Sequence, residues 1–189
     1  MPAKIVFDKE KVAAAAYRII ERDGLAALNA RSLAKESGCS TQPIYLRYSD
    51  MSEVKADADK IVRKVYGDYL QNGLKSKPSL YAGYLTAYVK FAAEKPNLFA
   101  YLFMRPTGEE KEEDKALRKG ITEAIARLGG YSLKVADRFF FASWLFAHGI
   151  ACQISTGYIK WDEKTVEKML DENFCALKKY YGDIKNDCD

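Results

Sequence analysis

Residues 29–54 read Asn29-Ala-Arg-Ser-Leu-Ala-Lys-Glu-Ser-Gly38-Cys-Ser-Thr-Gln-Pro-Ile-Tyr-Leu-Arg-Tyr-Ser-Asp50-Met-Ser-Glu-Val54. Asn29 is placed to cap a short helix whose Leu33 and Ala34 face inward. Gly38 stands where a tight turn needs positive φ without a Cβ penalty. Ser40 is expected to cap a second short helix, with Ile44 as its inward anchor and Thr41, Gln42, Tyr45 and Arg47 pointing elsewhere. Asp50, with Glu53 three residues on as a capping-box partner, predicts the start of a third helix. Helix, turn and helix in this order would offer the second helix's N-terminal side chains to the major groove of DNA.

Working outward, everything reads as helix, and no stretch alternates as a strand with hairpin turns. A first helix is expected from Asp8 to Asp23, stapled by Phe7 and Val12 and ended by Gly24. The helix from Asp50 carries Val54, Ala58, Ile61 and Val65 on to about Leu70 or Leu74, with a break from Gly73 to Pro78. Further helices are expected over Ser79–Glu94, Asn97–Met104 and Lys115–Leu128, with a solvated charged loop at Pro106–Asp114. Ser132 to Thr156 is the most apolar segment. A helix apolar all round must be covered all round, here in part by a second subunit. Asp162 caps a last helix in which Val166, Leu170, Phe174, Leu177 and Tyr181 form a seam for a partner helix. The expectation is an all-α chain: a DNA-binding domain at residues 1–50 with a three-helix head, joined by a long helix to a second helical domain at 51–189 that carries dimerisation.

The residues also resemble a known family. Gly38-Cys39-Ser40, then Ile44-Tyr45, Tyr48 and the acidic cap with Glu53, are similar to the DNA-binding head of TetR-type transcriptional regulators. Phe91-Ala-Ala-Glu-Lys-Pro96-Asn-Leu-Phe99 and Trp144-Leu-Phe-Ala-His148-Gly149 resemble that family's Trp-x-x-x-His-Gly effector domains. The resemblance implies a homodimeric repressor that a small molecule releases from a double-stranded DNA operator, with no catalytic residues, no cofactor and no membrane partner. Gln42-Pro43, Arg47 and Met51 depart from the usual pattern. Met51 replaces a phosphate-contacting lysine, a role Arg47 or Lys55 could take over.

The DNA-contact candidates are Arg31, Ser40, Thr41, Gln42, Pro43, Tyr45 and Arg47. Glutamine reads adenine bidentately, arginine reads guanine or holds phosphate, and tyrosine donates to phosphate. The ring of Pro43 could touch a thymine methyl. Trp144 and His148 are four apart and share a helix face. Together with Tyr66, Tyr69, Tyr84, Tyr88, Phe91, Phe103 and Phe140 they are the candidates for lining a ligand pocket. Aromatics at helical spacing also make plain core, and His148 also reads as a core histidine bonded to a neighbour.

Composition narrows the classes. The net charge of +4 does not announce a nucleic-acid binder by itself. Residues 1–49 hold eight basic and five acidic side chains, so most of the surplus sits on the expected head. Cys39, Cys152, Cys175 and Cys188 are scattered and only one histidine is present, which argues against a zinc site. Cys188, in a polar tail, reads as the most reactive thiol. With no long apolar run at its start or elsewhere, the chain is expected to be cytoplasmic. Two rivals stay open: a helical ligand-binding or enzyme domain that no longer binds DNA, and a constitutive DNA-binding dimer without effector.

Overall fold

The computed structural model describes residues 8–77, 79–106, 112–160 and 162–184. These form α-helices without a strand, in the order α1 (Lys9–Asp23), α2 (Ala30–Glu36), α3 (Gln42–Tyr45), α4 (Met51–Ser76), α5 (Leu80–Glu94), α6 (Pro96–Phe103), α7 (Glu112–Gly129), α8 (Leu133–Ser155) and α9 (Glu163–Ile184). None of the described helices is long and apolar enough to cross a membrane.

The chain packs as two compact units. One joins the chain up to Asp68 with Lys95–Arg105, and the other holds Tyr69–Glu94 and the chain from Pro106 onward. The sequence boundary at residue 50 falls at the start of α4, whereas the packing boundary falls within that helix. The first unit also claims α6. Asn97 donates to the Glu21 and Arg22 carbonyls at 3.0 Å each, satisfying groups that the end of α1 leaves open. Lys95 pairs with Glu21 at 2.7 Å.

In the first unit, Val12, Ala16, Ile20, Leu33, Ile44 and Val62 are buried. Asn29 caps α2 as expected: it accepts from the Arg31 and Ser32 amides, and Ser32 Oγ accepts the Asn29 amide in return. Gly38 adopts φ 66°. Ser40, however, is not the cap. Thr41 holds that position, with no side-chain bond, and Pro43 occupies the first turn. Asp8 likewise caps α1 through its carbonyl alone, because its side chain makes no cap bond. Phe7, its expected staple partner, lies outside the described residues. Asp50 accepts the Ser52 and Glu53 amides at the start of α4. Glu53 reaches back to the Ser49 amide at 3.1 Å, one residue before the expected partner.

In the second unit, α5, α7 and α9 all pack against α8. The predicted break from Gly73 to Pro78 begins late, since α4 runs to Ser76 and α5 starts at Leu80, so Gly73 does not end the helix. Gly73 instead lets α4 and α5 touch backbone to backbone. A Cβ there would lie 2.6 Å from the Gly83 carbonyl oxygen, and one on Gly83 would lie 2.6 Å from that of Gly73. The expected loop is partly helical, because α7 begins at Glu112. Its first turn carries Glu112, Glu113 and Asp114, the charge sign a helix N-terminus favours. The α9 seam is largely covered within the chain: Val166, Leu170 and Tyr181 are buried, and Phe174 packs on Tyr81 and Phe139. What stays open on α8 is narrower than expected: Leu133 at its start, and Phe141 and Leu145 within it, about half exposed.

Candidate functional site

Two regions collect the residues singled out by sequence. The first is the surface of α2, the turn and α3. Ile44 is fully buried and fixes α3 from beneath, while Arg31, Ser40, Gln42, Tyr45 and Arg47 are exposed and Thr41 and Pro43 half-buried. The helical label of α3 covers one turn. Bonds from the Arg47 and Tyr48 amides to the Ile44 carbonyl, both 3.0 Å, extend the coil past Arg47 and orient it.

Beneath this surface lies Tyr48, whose role sequence alone did not suggest. It is 1% exposed. Its hydroxyl lies 2.9 Å from the Lys9 carbonyl and 3.1 Å from the Asp57 carboxylate, so one side chain ties the end of α3 to α1 and α4. Burial, with Asp57 adding to it, pushes its acidity far down, and it stays a neutral hydrogen-bonding group. On the other side of α2, Glu36 binds Arg18 at 2.8 Å and Arg22 at 3.1 Å. Hydrogen bonds from these two hold its carboxyl below the usual range. Lys35 and Lys55 add exposed positive charge to the unit.

The second region is aromatic. Seven of the nine pocket candidates belong to the second unit. Tyr66 and Phe103 fall in the first, where they meet edge to face at 5.2 Å. Tyr84 contacts Phe140 at 5.7 Å and Tyr88 at 6.2 Å, and Tyr88 contacts Trp144 at 6.2 Å. Tyr69 packs edge to face on Phe91 and its hydroxyl donates to Glu94 at 2.7 Å.

Trp144 stacks on His148 at 5.0 Å with planes 16° apart, as their shared face requires. Both imidazole nitrogens are engaged: Nδ1 lies 2.8 Å from the Tyr88 hydroxyl and Nε2 lies 3.4 Å from Cys152 Sγ. Burial lowers the basicity of His148 and raises the pKa of both Cys152 and Tyr88, so all three are neutral near pH 7. A neutral ring gives and takes one hydrogen bond, which matches two neighbours. Cys152 is not among the pocket candidates, although its spacing of four from His148 places it on the same helix face. Among the described residues no cluster suits a metal ion, and Cys39, Cys152 and Cys175 are unpaired thiols. Cys188 lies outside them.

The described residues thus form a short helix-turn-helix with an exposed polar face, followed by an all-helical unit. The family model described as the tetracyclin repressor-like C-terminal domain matches residues 81–177, and the chain belongs to that TetR family. Among solved structures, a TetR family transcriptional regulator from Vibrio parahaemolyticus is similar at 19% identity. The match covers 89% of this chain and 97% of that one, with a TM-score of 0.63. A TetR family member from Streptomyces coelicolor is similar at 14% identity over 87% and 96% of the two chains, with a TM-score of 0.55. Both likenesses concern the fold. No curated protein matches the chain.

Proposed function

We propose that the protein is a homodimeric repressor that a small molecule releases from its operator. The observation that carries this reading is the exposed row Arg31, Ser40, Gln42, Tyr45 and Arg47 around the buried Ile44. Gln42 reads an adenine edge, Arg31 and Arg47 take guanine or phosphate, Ser40, Thr41 and Tyr45 hold phosphate, and Pro43 meets a thymine methyl. Two copies bind half-sites about 34 Å apart along one face of the duplex. Residues 1–50 carry this function and 51–189 carry effector binding and dimerisation.

The half-exposed Phe141 and Leu145, one turn apart on α8, are the centre of the subunit contact. They belong to an obligate interface on the order of 2,000 Å². The effector is largely apolar or planar. It enters the aromatic region of Tyr84, Tyr88, Phe140 and Trp144, anchored by hydroxyls or by His148. It acts by population shift, favouring a spacing of the two heads that no longer matches successive grooves. The covalent route for that shift is α4, which the two units share, together with the α5–α6 junction.

The test is affinity for a selected operator and for scrambled duplex. Gln42→Ala costs about 1–3 kcal/mol on the operator alone, the usual worth of a bidentate base contact. Tyr45→Phe weakens all duplexes alike. Unchanged operator binding after replacing both Gln42 and Arg47 overturns the assignment. Phe141→Glu with Leu145→Glu yields a monomer by sedimentation. A broad ligand screen in which nothing loosens DNA binding leaves a constitutive DNA-binding protein instead.

A further inference from the structure

Within the second unit, α5, α7, α8 and α9 enclose a cleft of about 360 Å³. Small-molecule sites run from about 300 to 1,000 Å³. Its walls are apolar: Tyr81, Ile121, Ile125 and Phe139 are each at most 9% exposed. Leu80 and Leu128 line it too and remain open to solvent, Leu128 at 81%. The cleft shares no residue with the Tyr88–Trp144–His148 cluster.

Charge sets this cleft apart from its neighbours. Its only charged lining residues are Arg127 on α7 and Lys178 on α9. Neither is ion-paired among the described residues. A second cleft, beside α7 and α8, is also basic. There, however, Arg118 is matched by Asp137 at 3.0 Å, Lys115 by Glu112 at 2.7 Å and Lys119 by Glu123 at 4.0 Å. A third holds Lys77 against Glu167 at 2.5 Å, with Asp171 in the same lining. Only in the first of the three does an apolar cavity meet positive charge that no described residue pairs. Tyr81, which also lines the third cleft, has its hydroxyl buried without a hydrogen bond of ordinary length and angle. Its neighbour Ser143 already donates to the Phe139 carbonyl at 2.8 Å.

We propose that this cleft binds an amphipathic anion, an aliphatic or aromatic body in the apolar walls with a carboxylate held by Arg127 and Lys178. Charge-assisted bonds to a carboxylate are about twice as strong as neutral ones. The stems of both cations also extend the apolar surface that the body of the ligand covers. A neutral alcohol of the same chain buries the same area and forgoes the charged contacts, and an ammonium meets repulsion.

The experiment is calorimetric titration of the full chain, without DNA, with decanoate, decan-1-ol and decylamine at pH 7. Its failure is therefore separate from any failure of the DNA-binding reading. Decanoate should bind at least ten-fold more tightly than decan-1-ol, with decylamine weakest. The double variant Arg127→Ala, Lys178→Ala should lose that preference and leave decan-1-ol unchanged. Ala124→Phe, which fills the cleft, should abolish both. Replacing Lys115 and Lys119 by alanine in the neighbouring cleft should change nothing. Circular dichroism checks that each variant folds, and if Ala124→Phe does not, the charge variant decides. The proposal is overturned by no decanoate binding up to millimolar concentration, by equal affinity for acid and alcohol, or by wild-type decanoate binding in the charge variant.

Discussion

In the first unit, polar and directional contacts reinforce the apolar core in joining distant parts of the chain. Tyr48 reaches Lys9 and Asp57, Asn97 reaches two carbonyls of α1, Lys95 reaches Glu21, and Glu36 gathers Arg18 and Arg22. In the second unit aromatic contacts predominate over polar ones. Phe139 alone touches Tyr81, Tyr131, Phe174 and Tyr181, with ring centroids 5.6–6.0 Å apart. Hydrogen bonds lose strength steeply when bent, so a network of them holds geometry. Aromatic contacts are worth most as area and accept several ring arrangements, so a unit built on them can repack around a guest. Under the proposed function, a face that presents side chains to DNA in fixed register benefits from the first kind of fastening, and a ligand-accepting unit from the second.

Four perturbations test that contrast, from the largest effect to the smallest. Phe139→Ala should destabilise the second unit by about 3–5 kcal/mol, the usual range for emptying a buried phenylalanine site. Hydrogen exchange should show α8 and α9 loosened with α1–α3 still protected. Equal loss of protection in both would mean that the units do not have separate cores.

Gly83→Ala should cost about 1–3 kcal/mol in denaturant melts, because its Cβ would lie 2.6 Å from the Gly73 carbonyl oxygen and the helices must separate. A neutral result would show the crossing to be compliant, contrary to its backbone contact.

Tyr48→Phe should cost about 1–2 kcal/mol, since it removes one hydroxyl and leaves a partly buried carbonyl and carboxylate short of a partner. The loss should appear in α1, α3 and the start of α4. Operator affinity should fall with it, although Tyr48 itself is buried beneath the surface proposed to face DNA.

The smallest effect is on pH. Burial holds His148 below its ordinary 6.5, so the unfolded chain binds a proton there that the folded chain refuses. Stability from this group is complete above about 6.5 and declines as pH falls through the folded value. Burial alone would raise the pKa of Glu21, but bonds from Lys95 and Tyr17 outweigh it and bring it below its ordinary 4.5. Its contribution is complete above that value and is lost only at lower pH. Acidification from pH 7 should therefore weaken the second unit before the first, and His148→Gln should remove the upper part of the trend. Melts at pH 7, 6 and 5 followed by hydrogen exchange would show it, and an α1–α3 region that loosens first would contradict it.

The sequence by itself determined the local features: all-helical character, the Asn29 cap, positive φ at Gly38, Ile44 as anchor, and the exposed row around it. Each rests on groups within a few residues of one another, where helical period and capping chemistry act directly. The pairing of Trp144 with His148 was legible for the same reason. Tertiary structure alone decided the rest. Nothing local marks Tyr48 as the tie between α1 and α4, or Asn97 as the group that closes the end of α1, because their partners lie 39 and about 75 residues away. Gly73 read as the start of a break because glycine is a poor helix former, and only the approach of Gly83 shows why a residue without a side chain stands within the helix there. The split of Tyr66 and Phe103 from the other aromatics, and the meeting of Arg127 with Lys178 at one cleft, belong to the same class. Such contacts are set by how helices stack, and a one-dimensional pattern of apolar and charged residues holds many stackings that satisfy it equally well.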